Sequence, residues 1–94
     1  MKAIQLNPMH IKAYYNLGIA LYAEGRNMEA ISNYKIAIKL RPGFAYAHYN
    51  LGLVLLQEKK MNEAIYHFSE TVRLRPDLAP ARRYLELLTT KVSE

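Results

Sequence analysis

The strongest constraint on the fold of this 94-residue chain is an internal repeat with a fixed period. Three prolines mark the repeat at equal intervals, at Pro8, Pro42 and Pro76. A shift by one such interval also superimposes Tyr-Asn-Leu-Gly (15–18 on 49–52), Glu-Ala-Ile (29–31 on 63–65) and Leu-Arg-Pro (40–42 on 74–76). Self-similarity at a fixed period of about 34 residues is typical of solenoid arrays. The sequence therefore predicts one small domain made of stacked units.

Each unit is predicted to form two helices. In the first unit, Tyr14, Leu17, Gly18 and Leu21 recur at the three-and-four spacing of one helical face. Gly25 then marks a turn, where glycine takes a left-handed backbone at little cost. A second helix is predicted over about 28–40, and it ends before Pro42, which has no amide hydrogen to donate.

Small residues indicate where the two helices of a unit come closest. Gly18 and Ala30 lack the bulk that would hold two helices apart, and Gly52 and Ala64 repeat this arrangement in the second unit. Helices of about 13 residues are marginal in isolation. The stability of the chain must therefore come from packing each helix pair on the next.

The domain is expected to divide into a tail, two repeats and a cap, at residues 1–10, 11–44, 45–78 and 79–94. In the tail, Ala3, Ile4 and Leu6 correspond to the end of the first unit's second helix, one repeat later. In the cap, Arg82 and Glu86 stand where the first unit has Tyr14 and Gly18, so a solvated outer face is predicted. The chain then looks like the C-terminal end of a longer array, and a natural short protein is the alternative.

The motif that carries the identification is Tyr14-x2-Leu17-Gly18-x2-Leu21, followed by Ala30-x3-Tyr34-x2-Ala37 and Pro42. Its length, its Leu-Gly pair and its closing proline resemble the tetratricopeptide repeat family. The second unit departs from the pattern at His48, Lys59 and Thr71. The resemblance implies an all-α, right-handed α-solenoid of antiparallel helix pairs. About two full repeats would lie between a partial N-terminal helix and a C-terminal capping helix.

The first helix of each unit is apolar on a second face as well, and a helix with two apolar faces must contact two things. In the family, first helices line a concave groove that binds peptides. We therefore predict a groove, formed by a set that we call the groove residues: Lys12, Tyr15, Asn16, Ile19, Tyr22, Tyr46, Tyr49, Asn50, Leu53, Leu56, Arg83 and Tyr84. The cap also supplies Leu87 beside them. The alternative is that these side chains only pack one first helix on the next.

Two asparagines at equivalent positions of the two units are the most specific candidates in the groove. Asn16 and Asn50 each lie two residues before a Leu-Gly glycine. The repeats look most similar to arrays like that of O-linked N-acetylglucosamine transferase, in which asparagines at this offset hold a peptide main chain. A side-chain amide both donates and accepts, so it can bind backbone groups without reading sequence. The alternative is a solvent-facing or capping role.

The remaining composition favours a non-catalytic scaffold with a protein or peptide partner. The chain has no cysteine, and its three histidines (10, 48 and 67) form no i,i+4 pair, so we expect no catalytic residue, no metal site and no cofactor. No apolar run reaches the ~18–20 residues that span a bilayer, and we expect a cytoplasmic protein without membrane contact. The net charge of +5 allows nucleic acid, but the basic residues are scattered, which disfavours it. Self-association into a homodimer is the main alternative function.

Overall fold

The computed structural model describes residues 7–93, which form five α-helices and no strand. The helices are α1 (Pro8–Ala23), α2 (Asn27–Leu40), α3 (Ala45–Gln57), α4 (Met61–Leu74) and α5 (Ala79–Ser93). Helices α1 and α2 pack as one antiparallel pair and α3 and α4 as the next, and α5 packs on α4. The predicted all-α solenoid of helix pairs is confirmed. The described molecule is elongated, with extents of 51 × 28 × 23 Å.

The helix ends follow the local sequence. Helix α1 starts with Pro8 in its first turn, and the Oδ1 atom of Asn7 accepts a hydrogen bond of 2.8 Å from the backbone N–H of Met9. The turn after α1 contains Gly25, whose φ is +78°. The turn after α3 has Lys59 at the equivalent place with φ of 61°, so a lysine adopts a backbone that favours glycine.

Within each pair, a glycine of the first helix lies against an aromatic ring of the second. A Cβ built on Gly18 would stand 2.7 Å from Cε1 of Tyr34, and one on Gly52 would stand 2.8 Å from Cε1 of Phe68. Tyr34 and Phe68 are almost completely buried. The sequence located the close approach at Gly18 correctly, but the partner there is the ring of Tyr34. Ala30 is fully buried nearby in the same core.

The repeats stack through a different face of each first helix, which we call the stacking face. On α3 this face consists of Ala47, Leu51 and Val54, all of which are fully buried. Helix α2 covers this face of α3, and α4 covers the corresponding face of α5. A polar contact joins the repeats as well, since Asn27 Nδ2 donates hydrogen bonds of 3.1 Å to Gln57 and 2.9 Å to Glu58.

The apolar stripe of α1 is only partly buried among the described residues, because Gly18 and Leu21 are buried and Tyr14 and Leu17 are exposed. Tyr14 is 37% exposed and Leu17 is 48% exposed, whereas the equivalent His48 and Leu51 on α3 are 3% and 0% exposed. The physical reason is that a preceding second helix covers this face on α3, and the described residues contain none before α1. The expectations for residues 1–6, including Ala3, Ile4 and Leu6, lie outside the described part of the chain.

Candidate peptide-binding groove

The groove residues all lie on first helices and all remain accessible. The exposed ones are Lys12, Asn16, Ile19, Tyr46 and Arg83. The half-buried ones are Tyr15, Tyr22, Tyr49, Asn50, Leu53, Leu56 and Tyr84. The half-buried apolar members also pack against the core. They therefore help to hold the helices together as well as presenting accessible surface. This set therefore combines fixed side chains with open surface, as a binding surface requires.

Tyr15 joins the two repeats at this surface. Its hydroxyl oxygen accepts a hydrogen bond of 2.9 Å from Nδ2 of Asn50. Its ring lies 4.6 Å from the ring of Phe44 and 6.0 Å from that of Tyr34, measured between centroids. Burial raises the pKa of the Tyr15 hydroxyl above its ordinary value, against the lowering effect of the Asn50 hydrogen bond. Phe44 was not among the predicted residues, because it precedes α3 and has no place in the helical pattern.

The two asparagines differ in their surroundings. Asn16 is exposed, and its side chain makes no hydrogen bond within residues 7–93. Asn50 is half-buried and uses one of its two N–H groups on Tyr15, while its carbonyl oxygen accepts no hydrogen bond from the described residues. Asn16 can therefore offer a ligand its whole amide, and Asn50 can offer one N–H and its oxygen.

A cavity of about 480 Å³, which we call the C-terminal cavity, brings several predicted residues together. It is lined by Tyr49, Ala79, Pro80, Arg83, Tyr84 and Leu87. The ring of Tyr84 is held in place from two sides, stacked on Phe68 at 5.2 Å and tilted against Tyr49 at 6.5 Å between centroids. Leu87 is 58% exposed at the wall of the cavity. The arrangement offers a pre-formed apolar surface with one guanidinium beside it.

Tyr46 lies apart from the C-terminal cavity. Its ring is 5.7 Å from the guanidinium carbon of Arg75, a cation–π distance. It lines a smaller cavity of about 260 Å³, together with Arg41, Gly43, Phe44, Ala45, Leu74 and Arg75. Tyr46 does lie close enough to Tyr15 to raise the pKa of the Tyr15 hydroxyl slightly, so it belongs to the surroundings of the Tyr15–Asn50 contact.

The charges separate between first and second helices. Helices α1 and α3 contain no aspartate or glutamate, and α5 contains only Glu86. Apart from Glu58, which accepts a hydrogen bond from Asn27, the acidic residues of the second helices and turns form ion pairs: Arg26 with Glu24 and Glu29, Lys35 with Glu63, Arg73 with Glu70, and Arg75 with Asp77. In contrast, Lys12 and Arg83 have no carboxylate within 4.0 Å among the described residues. The groove residues therefore carry positive charge that no ion pair neutralises.

Two histidines inside the second repeat contact each other directly, a contact that the sequence did not predict. Nδ1 of His48 lies 3.0 Å from Nδ1 of His67, and Nε2 of His48 lies 2.9 Å from the carbonyl oxygen of Pro42. No group of three or more histidine, cysteine or acidic side chains in the described chain is arranged to hold a metal ion. The helical register could have placed these histidines on facing helices, but the repeat gives no signal for them because the first unit has Tyr14 and Asn33 instead.

The chain belongs to the tetratricopeptide repeat family, whose sequence profile matches residues 3–79. Repeats of this family are generally protein–protein interaction modules and non-catalytic scaffolds. No curated protein sequence matches the chain. No helix in residues 7–93 has the length and apolar character needed to cross a bilayer. The particular similarity to arrays of O-linked N-acetylglucosamine transferase stays a prediction, as does the cytoplasmic location.

Solved structures of other proteins share the fold, and the following two are among them. The crystal structure of MamA aligns with a TM-score of 0.86 and 28% sequence identity, over 93% of this chain and 51% of that chain. The CopN–Scc3 complex aligns with a TM-score of 0.82 and 18% identity, over 89% of this chain and 49% of that chain. The chain thus spans about half the length of either structure. The second of these structures contains a protein with its partner, as its name states.

Proposed function

We propose that the protein is a non-catalytic interaction scaffold that binds a peptide segment along the groove residues. The observation that carries the proposal is the C-terminal cavity, in which Tyr49 and Tyr84 meet beside Arg83. Tyrosine rings offer large, rigid contact area with a polar end, which suits peptide recognition. The family membership supports a protein partner.

Asn16 and Asn50 would hold the main chain of the peptide. Both are accessible, and both retain hydrogen-bonding groups that the described residues do not use. An amide side chain can pair with a backbone N–H and a backbone carbonyl at once. This role would make the groove similar to those of O-linked N-acetylglucosamine transferase arrays. The row of asparagines along the groove would be short, because it has two members.

The experiment that tests the scaffold is an unbiased peptide selection followed by measurement of affinity by fluorescence anisotropy. We expect selected peptides to bind with micromolar affinity. Tyr49→Ala should weaken binding at least fivefold, because it removes one wall of the C-terminal cavity. Tyr66→Ala is the matched control, since Tyr66 is 59% exposed on α4 and does not line that cavity. Equal losses in the two variants, or no selectable peptide, would contradict the scaffold.

We propose self-association as a second candidate function, because the described residues leave the stacking face of α1 exposed. Leu17 and Tyr14 are exposed there, while the same face of α3 is buried by α2. Two copies could bury this face against each other around a two-fold axis. Light scattering should then show mass above the 10.9 kDa monomer, and Leu17→Arg should restore the monomer. A monomer at about millimolar concentration would contradict this function.

A further inference from the structure

We propose that the partner is an acidic peptide, whose apolar side chain enters the C-terminal cavity while a neighbouring aspartate or glutamate carboxylate pairs with Arg83. The inference rests on the proposed scaffold function and specifies its ligand. A second acidic side chain further along the peptide would pair with Lys12. The peptide is therefore recognised by an apolar residue flanked by acidic ones.

The distribution of charge on the first helices favours an acidic ligand. An acidic ligand approaching α1 or α3 meets no carboxylate on either helix. On the second helices, Lys35 and Arg73 form ion pairs and Lys39 does not, whereas Lys12 and Arg83 have no carboxylate within 4.0 Å in the described chain. Glu86, three residues after Arg83 on α5, lines a neighbouring surface cavity with Arg83 but does not line the C-terminal cavity. Complementary charge of this kind steers a ligand and fixes its register.

Arg83 differs from the other unpaired cations in its position beside the C-terminal cavity. Several other cations also lack an ion pair within residues 7–93, among them Lys39, Lys59 and Lys60, but none of them lines the C-terminal cavity. Arg83 lines it together with Leu87 and Tyr84. A guanidinium beside an apolar wall can bind a carboxylate with two hydrogen bonds while the wall excludes water from the contact. One site therefore reads both an apolar side chain and an adjacent acidic group.

Acidic side chains and a free C-terminus differ in how many of the two cations they can reach. Lys12 lies on α1 and Arg83 on α5, at the two ends of the row of first helices. A single terminal carboxylate can serve only one of these cations. A row of three helices spaced about 10 Å apart spans about 20 Å, which an extended peptide of six or seven residues covers. Acidic side chains can reach both cations, and a terminus cannot.

The test uses two labelled octapeptides, acetylated and amidated, with a central Leu-Phe pair flanked by glutamates in one and by glutamines in the other. The glutamate peptide should bind at least tenfold more tightly at low salt, and added salt should reduce this difference. Arg83→Ala should weaken the glutamate peptide about five- to tenfold and the glutamine peptide by a clearly smaller factor, because the glutamine peptide loses the wall that Arg83 supplies but no ion pair. Arg82→Ala, an exposed neighbour on the same helix that does not line the C-terminal cavity, is the matched control and should change neither.

Each other outcome overturns the inference. Equal affinity for the two peptides, with both weakened by Tyr49→Ala, leaves the scaffold in place and removes the acidic partner. The same holds if neither octapeptide binds while neutral peptides from the selection do. Binding only by an octapeptide with a free carboxyl terminus assigns Arg83 to a C-terminus. Tighter binding of a single-stranded oligonucleotide that Arg83→Ala weakens assigns the surface to nucleic acid.

Discussion

His48 and His67 share a hydrogen bond between their Nδ1 atoms, at 3.0 Å, although 19 residues separate them in the chain. Because Nε2 of His48 lies 2.9 Å from the carbonyl oxygen of Pro42, this nitrogen must be the donor. Nδ1 of His48 is then the acceptor in the neutral pair, and Nδ1 of His67 carries the proton. The pair links α3, α4 and the loop that precedes α3, and it fixes one tautomer of each ring.

This pair predicts a loss of stability in mild acid. Burial, the neighbouring His48 and Lys35 lower the pKa of His67 from 6.5 to about 4. Between pH 6.5 and 4 the unfolded chain therefore binds the proton more readily than the folded chain, so stability falls as the pH falls through this window. We expect His67 to lower the free energy of unfolding by roughly 1 kcal/mol between pH 7.5 and pH 5. The loss is no larger than this because solvent screens the partly exposed ring. Urea denaturation at the two pH values measures it.

A matched control for this effect is His67→Gln. Glutamine keeps an N–H donor for His48 but does not titrate, so this variant should lose most of the dependence on pH. If His67→Gln and the unmodified protein lose the same stability between pH 7.5 and pH 5, the pair does not govern the acid response.

The glycine–ring contacts predict position-specific sensitivity to a single methyl group. Gly18→Ala and Gly52→Ala should each lower the free energy of unfolding by about 1–3 kcal/mol, because a Cβ would meet the Tyr34 or Phe68 ring at 2.7–2.8 Å. Gly43→Ala should be near neutral, since a Cβ there would meet nothing within 4 Å. Thermal denaturation followed by circular dichroism compares the three variants. A similar midpoint for all of them would refute the close approach.

The left-handed backbone at Lys59 predicts a stabilising substitution. Lys59 has φ of 61°, which costs a residue with a side chain about 1–2 kcal/mol relative to glycine. Lys59→Gly should therefore raise the free energy of unfolding by up to about 1 kcal/mol, after the greater entropy that glycine loses on folding is subtracted. Gly25→Ala, at φ of +78° in the equivalent turn, should lower it by a similar amount. Opposite signs in chemical denaturation are the expected result, and equal signs would contradict it.

If both asparagines bind the peptide main chain, substituting either should weaken peptide binding, but only the substitution at Asn50 should also lower the stability of the fold. Asn16→Ala should weaken binding of a selected peptide severalfold without changing stability, since Asn16 is exposed and bonds to no described side chain. Asn50→Ala should lower both, because it also removes the hydrogen bond to Tyr15, worth about 0.5–1.5 kcal/mol. Tyr15→Phe is the control that removes the same hydrogen bond and leaves both asparagines. Unchanged affinity in Asn16→Ala would remove its proposed role.

Much of the fold was predictable because the same residue pattern occurs in both repeats. The spacing of glycine, alanine and proline located the helices within a residue or two, and Gly25 marked a left-handed turn that the structure contains. The exposure of Leu17 was not predictable from its apolar pattern. The apolar pattern identifies a face that can pack against another helix, but the burial of that face depends on whether a neighbouring helix lies against it.

The candidate site was predictable in its positions and less so in its contacts. The equivalence of first helices placed Tyr49, Arg83 and Tyr84 on related faces, and the structure brings them to one cavity. The hydrogen bond from Asn50 to Tyr15 depends on side-chain geometry between two repeats, which periodicity does not encode. The histidine contact occurs in one repeat only, so superimposing one unit on the other hides it.

The most direct test of peptide binding along the first helices is an NMR titration of the ¹⁵N-labelled protein with a selected peptide. The account predicts that amide shift changes concentrate on α1, α3 and α5, with the largest changes around Tyr49, Arg83 and Tyr84. Amides on the outer faces of α2 and α4, near Tyr66 for example, should remain unchanged. Shift changes concentrated on those outer faces, with the C-terminal cavity unaffected, would contradict the account.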